Sequence, residues 1–501
     1  MKRWTQWLVA AALLLSLAHP GLAQEHAFAQ AEEVFHHLLE SHVSKPEESR
    51  LVQGALRYVS EVAKQEQKRD LYVSPDDDTM WELWTRLRQW KRQFGWEESW
   101  LNSLVIEGML QSLDDPHTQF FTEKELMLFQ ADVENRFVGF GFRLRLQDGS
   151  FLIREIVAHS PAAASGLKKG DRILAVDGQS LLGMDFEQAY GYLRGGEGSE
   201  AVLKVYRASE NREIEVRLKR VAMSLPEAVG QLFDGGKIGY IRLETFGSDA
   251  APQMKEILAS FRHSGKPLAG LILDVRDNGG GYLSAARDIA SLFMEEGILM
   301  YMTNRNGVEV ATWVRNGDDI SVPVRILVNH GSASASELLS GALRDNGIAQ
   351  LVGSQTYGKG SAQQVIPLSG GDVLKLTLNE YFTPQHTVVN HVGLEPDIIV
   401  EDDAAQVVGA LRSLGVTSWE IRDQDGDTVI NGIAFPTLHP LWKQGEGGGL
   451  EVRAAVLAQL LGEDELELLE YVQLAPYLEK NESLRLVEKN GEYVLTYSQP
   501  S

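Results

Sequence analysis

Four short apolar runs constrain this chain more than any other feature. KIGYIRL (237–243), LAGLILDV (268–275), VRILVN (324–329) and AQLVG (349–353) are almost continuous in aliphatic side chains. A strand wetted on one face alternates apolar with polar residues. A strand covered on both faces does not, and parallel sheets are built from such strands. Helical stretches near 251–262, 282–296 and 335–345 fall between the runs, supplying the crossovers that parallel strands require. Residues 223–415 are therefore expected to form an α/β domain. Two further runs, AQQVIPL and DVLKLTLNEYF, are separated by SGG, which signals a hairpin.

The chain has 501 residues, room for three or four domains of about 150 residues. Residues 24–134 read as helical, with apolar positions at helical spacing in FAQAEEVFHHLLESHV, SRLVQGALRYVSEV and WLNSLVIEGMLQSL. Five of the ten tryptophans fall between Trp81 and Trp100, and these rings are expected to pack against the other helices. Residues 135–222 break into short apolar runs punctuated by Gly, Asp and Pro, as a small β-rich domain does. Residues 416–501 read as a small α+β domain. The acidic DQDGD within it lacks the ligand spacing of a calcium loop and reads as a solvated turn.

Residues 1–23 have the form of a signal peptide: Lys2 and Arg3, an apolar run, then GLA. The expected mature protein is exported and is periplasmic, cell-wall associated or secreted. Cysteine is absent, which excludes disulfides, thiol nucleophiles and cysteine-based zinc sites. A net charge of −23 argues against nucleic-acid binding.

Two strand-to-helix junctions carry candidate chemistry. DVRDNGGG ends in three glycines before a helix, offering backbone N–H groups to an anion. It fits neither common phosphate-binding pattern, so an oxyanion is the other candidate, provided a nucleophile sits at the neighbouring strand end. NHGSASASELL places Ser332, Ser334 and Ser336 at alternate positions after a strand. Ser334 with Glu337 also fits a capping box. Serine needs a base. His330 stands just before the serines, without a carboxylate at a recognisable spacing to orient it. Lys359, in TYGKGSAQQ, lies between two glycines. A lysine base must be neutral, and its free pKa near 10.4 leaves well under about 1% neutral at pH 7. Burial lowers it by about 2–3 units. The same spacing also suits a plain surface lysine in a glycine turn.

Taken together, SASASELLSGALRDNG, QTYGKGSAQ, DVRDNGGG and the small β domain resemble the carboxyl-terminal processing peptidases, or tail-specific proteases, over about residues 100–412. The resemblance implies a serine endopeptidase with a Ser–Lys dyad. Ser334 would be the nucleophile, Lys359 the base and Gln363 the residue that positions the lysine, with Asp345 in a supporting role. The oxyanion hole would use the backbone N–H of Ala335 and of Gly280, with Gly281 the alternative. The family often has NNPGG where this chain has Asp277, Asn278 and Gly279 before the last two glycines. The resemblance also makes the small domain a PDZ domain, in which Gly139, Phe140, Gly141 and Phe142 receive a terminal carboxylate while the peptide adds as a strand. It implies protein or peptide substrates with accessible C-termini and no metal or cofactor. It also implies a homodimer through the N-terminal helices and an activating partner that unlocks a latent dyad. The residues after 416 are similar to wall-associated stalk modules of some secreted proteases. The alternative function is a non-catalytic PDZ scaffold that binds peptides in the cell envelope.

Overall fold

The computed structural model describes residues 28–147, 149–424, 427–437, 439–445, 448–489 and 492–499. The expected signal peptide lies outside the described residues. The described residues divide into two compact units, one of 28–120 with 365–376, the other of 121–364 with 377–499. Among the described residues no helix is long and apolar enough to cross a membrane.

The first unit is helical: Ala29–Ser41, Glu48–Gln67, Met80–Phe94 and Glu98–Gln111. The second and fourth helices approach closely through Gly54 and Gly108, where a β-carbon would stand 2.4 Å from Ser112 Cβ and 2.7 Å from Tyr58 Cβ respectively. The tryptophans divide. Trp84 and Trp90 are buried, Trp96 stacks on Phe94 and meets Trp100 edge-on, and Trp81 stands in solvent at 72% exposure. Packing against helices therefore accounts for only part of the cluster.

In the second unit the four apolar runs form the middle of one sheet. Ala228–Phe233 runs antiparallel to Ile238–Leu243, and Gly270–Asp274, Val324–Val328, Ala349–Gly353 and Ile398–Ile399 follow in parallel. Helices Ala250–Arg262, Leu283–Ala290 and Ala335–Asp345 cover one face around a core that includes Phe246, Leu273, Phe293 and Leu339. The expected hairpin is Ser361–Pro367 with Val373–Phe382.

The opposite face is covered by helix Asp403–Ser413 and by the C-terminal segment. Phe435 stacks on Phe233 at 5.7 Å and meets Tyr240 edge-on at 5.2 Å. One hydrophobic cluster runs from Ile272 and Leu327 through Val408 to Trp419, Leu457 and Leu495. The C-terminal strands thus share a core with the central sheet. Within the DQDGD stretch residues 425 and 426 lie outside the described residues, and the carboxylates that flank them are held. Asp423, whose pKa burial pushes up, accepts the Leu441 N–H at 2.7 Å, and Asp427 pairs with Lys169 at 2.5 Å.

The small β domain is a six-stranded sheet whose edge strand is Phe142–Gln147, with helix Phe186–Leu193 beside it. Its entry and exit strands, Arg136–Gly139 and Val221–Ser224, pair with each other. Helix Glu123–Val133 falls in this second unit, and its Val133 carbonyl accepts the Thr245 hydroxyl at 2.8 Å.

Candidate active site

Strands Gly270–Asp274 and Val324–Val328 are parallel neighbours, with Asp274 opposite Leu327. Their C-terminal ends deliver the glycine loop and the serine turn side by side, as open α/β sheets do with their sites. The contact is tight. Gly280 has φ 102°, and a β-carbon there would lie 2.9 Å from Ser334 Cβ and from the Ala335 nitrogen.

The three serines separate by their hydroxyls. Ser332 Oγ donates to the Val275 carbonyl at 2.8 Å, and Ser336 Oγ donates to the Asn278 carbonyl at 2.8 Å. Both residues are fully buried. The outer two therefore stitch the serine turn to the glycine loop. Ser334, between them, precedes helix Ala335–Asp345 with φ 56° and ψ −114°. A non-glycine residue in that region is strained by about 1–3 kcal/mol, and such strain gathers at functional sites. The Ala335 N–H has no acceptor among the described residues.

Glu337 joins this turn to the lysine turn. Its buried carboxylate accepts the Ser334 N–H at 2.9 Å, the Thr356 hydroxyl at 2.5 Å, the Gly358 N–H at 2.7 Å and the Lys359 N–H at 2.8 Å. On the other side the Tyr381 hydroxyl lies 2.9 Å from the Ser334 carbonyl and 2.7 Å from that of Lys359. Burial, then the Glu337 charge, pushes the Tyr381 pKa well above the usual phenol value, so it remains a donor. The glycines around Lys359 permit close approach. Gly358 has φ 94°, and a β-carbon at Gly360 would stand 2.3 Å from the Asn390 nitrogen.

The remaining expected residues are placed as follows. Lys359 is half-buried. Gln363 Nε2 donates to Ser361 Oγ at 2.9 Å and to Thr377 Oγ1 at 3.2 Å. Asp345 is at the far end of the helix, about 16 Å from Ser334 at 1.5 Å per residue, where it accepts the Gln385 N–H at 3.0 Å. The Gly280 N–H donates to Asn278 Oδ1 at 2.9 Å, whereas the Gly281 N–H has no acceptor among the described residues. His330 is exposed and has no hydrogen-bond or ion-pair partner among the described residues.

Residues 237–400 match the family model for Peptidase family S41, and residues 152–207 match one for a PDZ domain. The carboxy-terminal processing protease CtpB of Bacillus subtilis is 30% identical over 337 residues, covering 66% of this chain and 70% of that protein. The chain belongs to peptidase family S41. A carboxyl-terminal-processing protease of Synechocystis is 35% identical over 303 residues, covering 59% of this chain and 70% of that one. Among solved structures, the photosystem II D1 C-terminal processing protease aligns with a TM-score of 0.47 and 24% identity, over 78% of this chain and 98% of that one. Membership of family S41 makes the chain a serine-type peptidase of the carboxy-terminal processing group. The resemblance to the carboxyl-terminal processing peptidases drawn from the motifs is thereby borne out.

Sequence reading missed three contributors to the site. Glu337 was legible only as a capping residue, Asn278 only as a departure from a family motif, and Tyr381 not at all. Asn278 is buried and also gives its amide to the Leu243 carbonyl at 2.7 Å, which fixes the glycine loop to the neighbouring strand. Beneath that loop Asp274 and Arg276 form a buried pair at 2.7 Å. Burial alone would raise the Asp274 pKa, but the Arg276 guanidinium outweighs it and holds the carboxyl below its usual value.

Proposed function

We propose that this peptidase is exported and trims C-terminal tails from proteins through a Ser334–Lys359 dyad. The observation that carries this reading is the division of the three hydroxyls. Ser332 and Ser336 are used for backbone bonds, and Ser334 sits in a strained turn that Glu337 ties to Lys359. In the proposed reaction, neutral Lys359 takes the Ser334 proton as Oγ forms a bond to the scissile carbonyl carbon. The Ala335 N–H and the Gly281 N–H stabilise the oxyanion, the Gly280 N–H being held by Asn278 Oδ1. An oxyanion donor of this kind typically contributes about 3–4 kcal/mol. Lys359 then protonates the departing amine, and water hydrolyses the acyl-enzyme by the same proton route in reverse. Gln363 acts on Lys359 as a positioning residue, and Asp345 supports the helix end and the Gln385 loop.

The PDZ groove supplies the tail. Gly141 has φ 87°, and a β-carbon there would stand 2.0 Å from Ser160 Cβ, so the carboxylate loop depends on that glycine. The N–H groups of Phe140 and Gly141 have no acceptor among the described residues, which suits them to a terminal carboxylate. The test is cleavage of an unstructured protein with an apolar C-terminus, offered as the free acid and as the C-terminal amide. Faster cleavage of the acid supports tail recognition, and equal rates overturn it. The homodimer and the activating partner enter this reading only as extensions, tested by the mass in solution and by a lag before cleavage that a partner abolishes.

A further inference from the structure

The PDZ groove has a charge opposite to that of the chain. The whole sequence carries −23. Yet the cavity between the edge strand and helix Phe186–Leu193, about 400 Å³, is lined by Arg136, Arg143, Arg154 and Arg194 against one carboxylate, Asp132. An adjoining cavity of about 350 Å³ shares Arg143 and Arg154, adds Lys169 and Arg242, and is more nearly balanced by Glu155, Glu244 and Asp427.

Two of the four groove arginines are neutralised. Arg136 pairs with Glu134 at 3.0 Å, and Arg143 pairs with Glu244 at 3.4 Å. The guanidinium groups of the other two have no hydrogen-bond or ion-pair partner among the described residues. Arg194 lies over the Tyr190 ring at 4.3 Å, at the end of the groove helix. Arg154 is where the sheet register slips: Arg143 faces Glu155 and Leu144 faces Ile153, so Arg154 is the extra residue of a β-bulge. Bulges re-aim side chains, and this one lines both cavities. Burial, and after it the nearby Arg242 charge, lowers the Arg154 pKa, and the charges of Asp427 and Glu155 offset this only in part. A further anion beside Arg154 would relieve the remaining repulsion.

We propose that the groove selects acidic tails, in which an apolar terminal residue is preceded by Asp or Glu side chains that meet Arg154 and Arg194. The inference rests on the reading that the groove binds a C-terminal strand. Complementary charge of this kind sets specificity and speeds encounter, and salt screens it.

The test uses residues 24–501 carrying Ser334→Ala, so that bound peptide is not cut. Fluorescence anisotropy would compare peptides ending in valine, with glutamate, glutamine or lysine at the three preceding positions, each as free acid and amide. The expected result is that the glutamate acid binds about tenfold more tightly than the glutamine acid and that lysine binds weakest. The preference should shrink at high salt. It should fall to about twofold in Arg154→Gln and Arg194→Gln and return in Arg154→Lys. Equal affinity for glutamate and glutamine acids, with the amides still excluded, would overturn the acidic preference and leave tail capture intact. Equal binding of acids and amides, or no binding, would overturn tail capture and the preference with it.

Discussion

Glu337 is the residue on which the site converges. Its two oxygens receive four donors, two of them from the lysine turn and one from the nucleophile. Glu337→Gln keeps the shape but replaces one acceptor oxygen with an amide donor. At least one buried N–H then loses its partner, which costs about 1–3 kcal/mol. Stability should fall by about that amount in urea, and kcat should fall about tenfold or more with little change in KM, because the turns lose their mutual register. An unchanged kcat would separate Glu337 from the geometry of the dyad. Arg276→Met should cost about 3–5 kcal/mol, because it leaves the fully buried Asp274 without its counter-charge. The folded pKa of Asp274 lies below its unfolded value. Its stabilisation is therefore complete above about pH 4 and is lost as pH falls through the folded value. Acid titration should accordingly show the deficit of Arg276→Met at pH 7 and its narrowing in acid. Ser334 and Lys359 were singled out by the family resemblance, where residue chemistry alone left a helix cap and a surface lysine open. Glu337, Asn278 and Tyr381 were not, because their partners lie about 20 to 60 residues away across turns, where no periodicity records the contact.

At the scale of elements, the apolar runs were sufficient to place the central strands, because a strand covered on both faces has no polar side to show. Adjacency of the glycine loop and the serine turn was a condition the sequence could state but not decide, since strand order is set by packing. The register of Asp274 with Leu327 supplies it. The glycine flanks of Lys359 can be tested at this scale. Gly360→Ala puts a methyl group 2.3 Å from the Asn390 nitrogen, and the turn must shift. A displacement near 1 Å at a catalytic group costs about a hundredfold. Steady-state kinetics should therefore show a large loss of kcat, while circular dichroism shows the fold retained. Wild-type kinetics for this variant would mean that Lys359 is not held by its turn.

For the whole molecule, the least legible feature was the role of residues 416–501. Short strands of modest hydrophobicity read as an appended domain, and nothing in their pattern reveals which surface they cover. The shared cluster from Ile272 to Leu495 makes them part of the core of the peptidase sheet. Residues 24–415 alone should therefore aggregate or unfold, and Phe435→Ala in the full chain should cost about 3–5 kcal/mol. A truncated chain that melts like the full one would contradict this. The central claim, that Ser334 attacks and Lys359 takes its proton, is tested most directly by mass spectrometry of a cleaved unstructured substrate. Residues 24–501 would be compared with Ser334→Ala, Lys359→Ala and His330→Ala. The account predicts cleavage abolished in the first two and retained in the third, and cleavage lost in His330→Ala but kept in Lys359→Ala would contradict it.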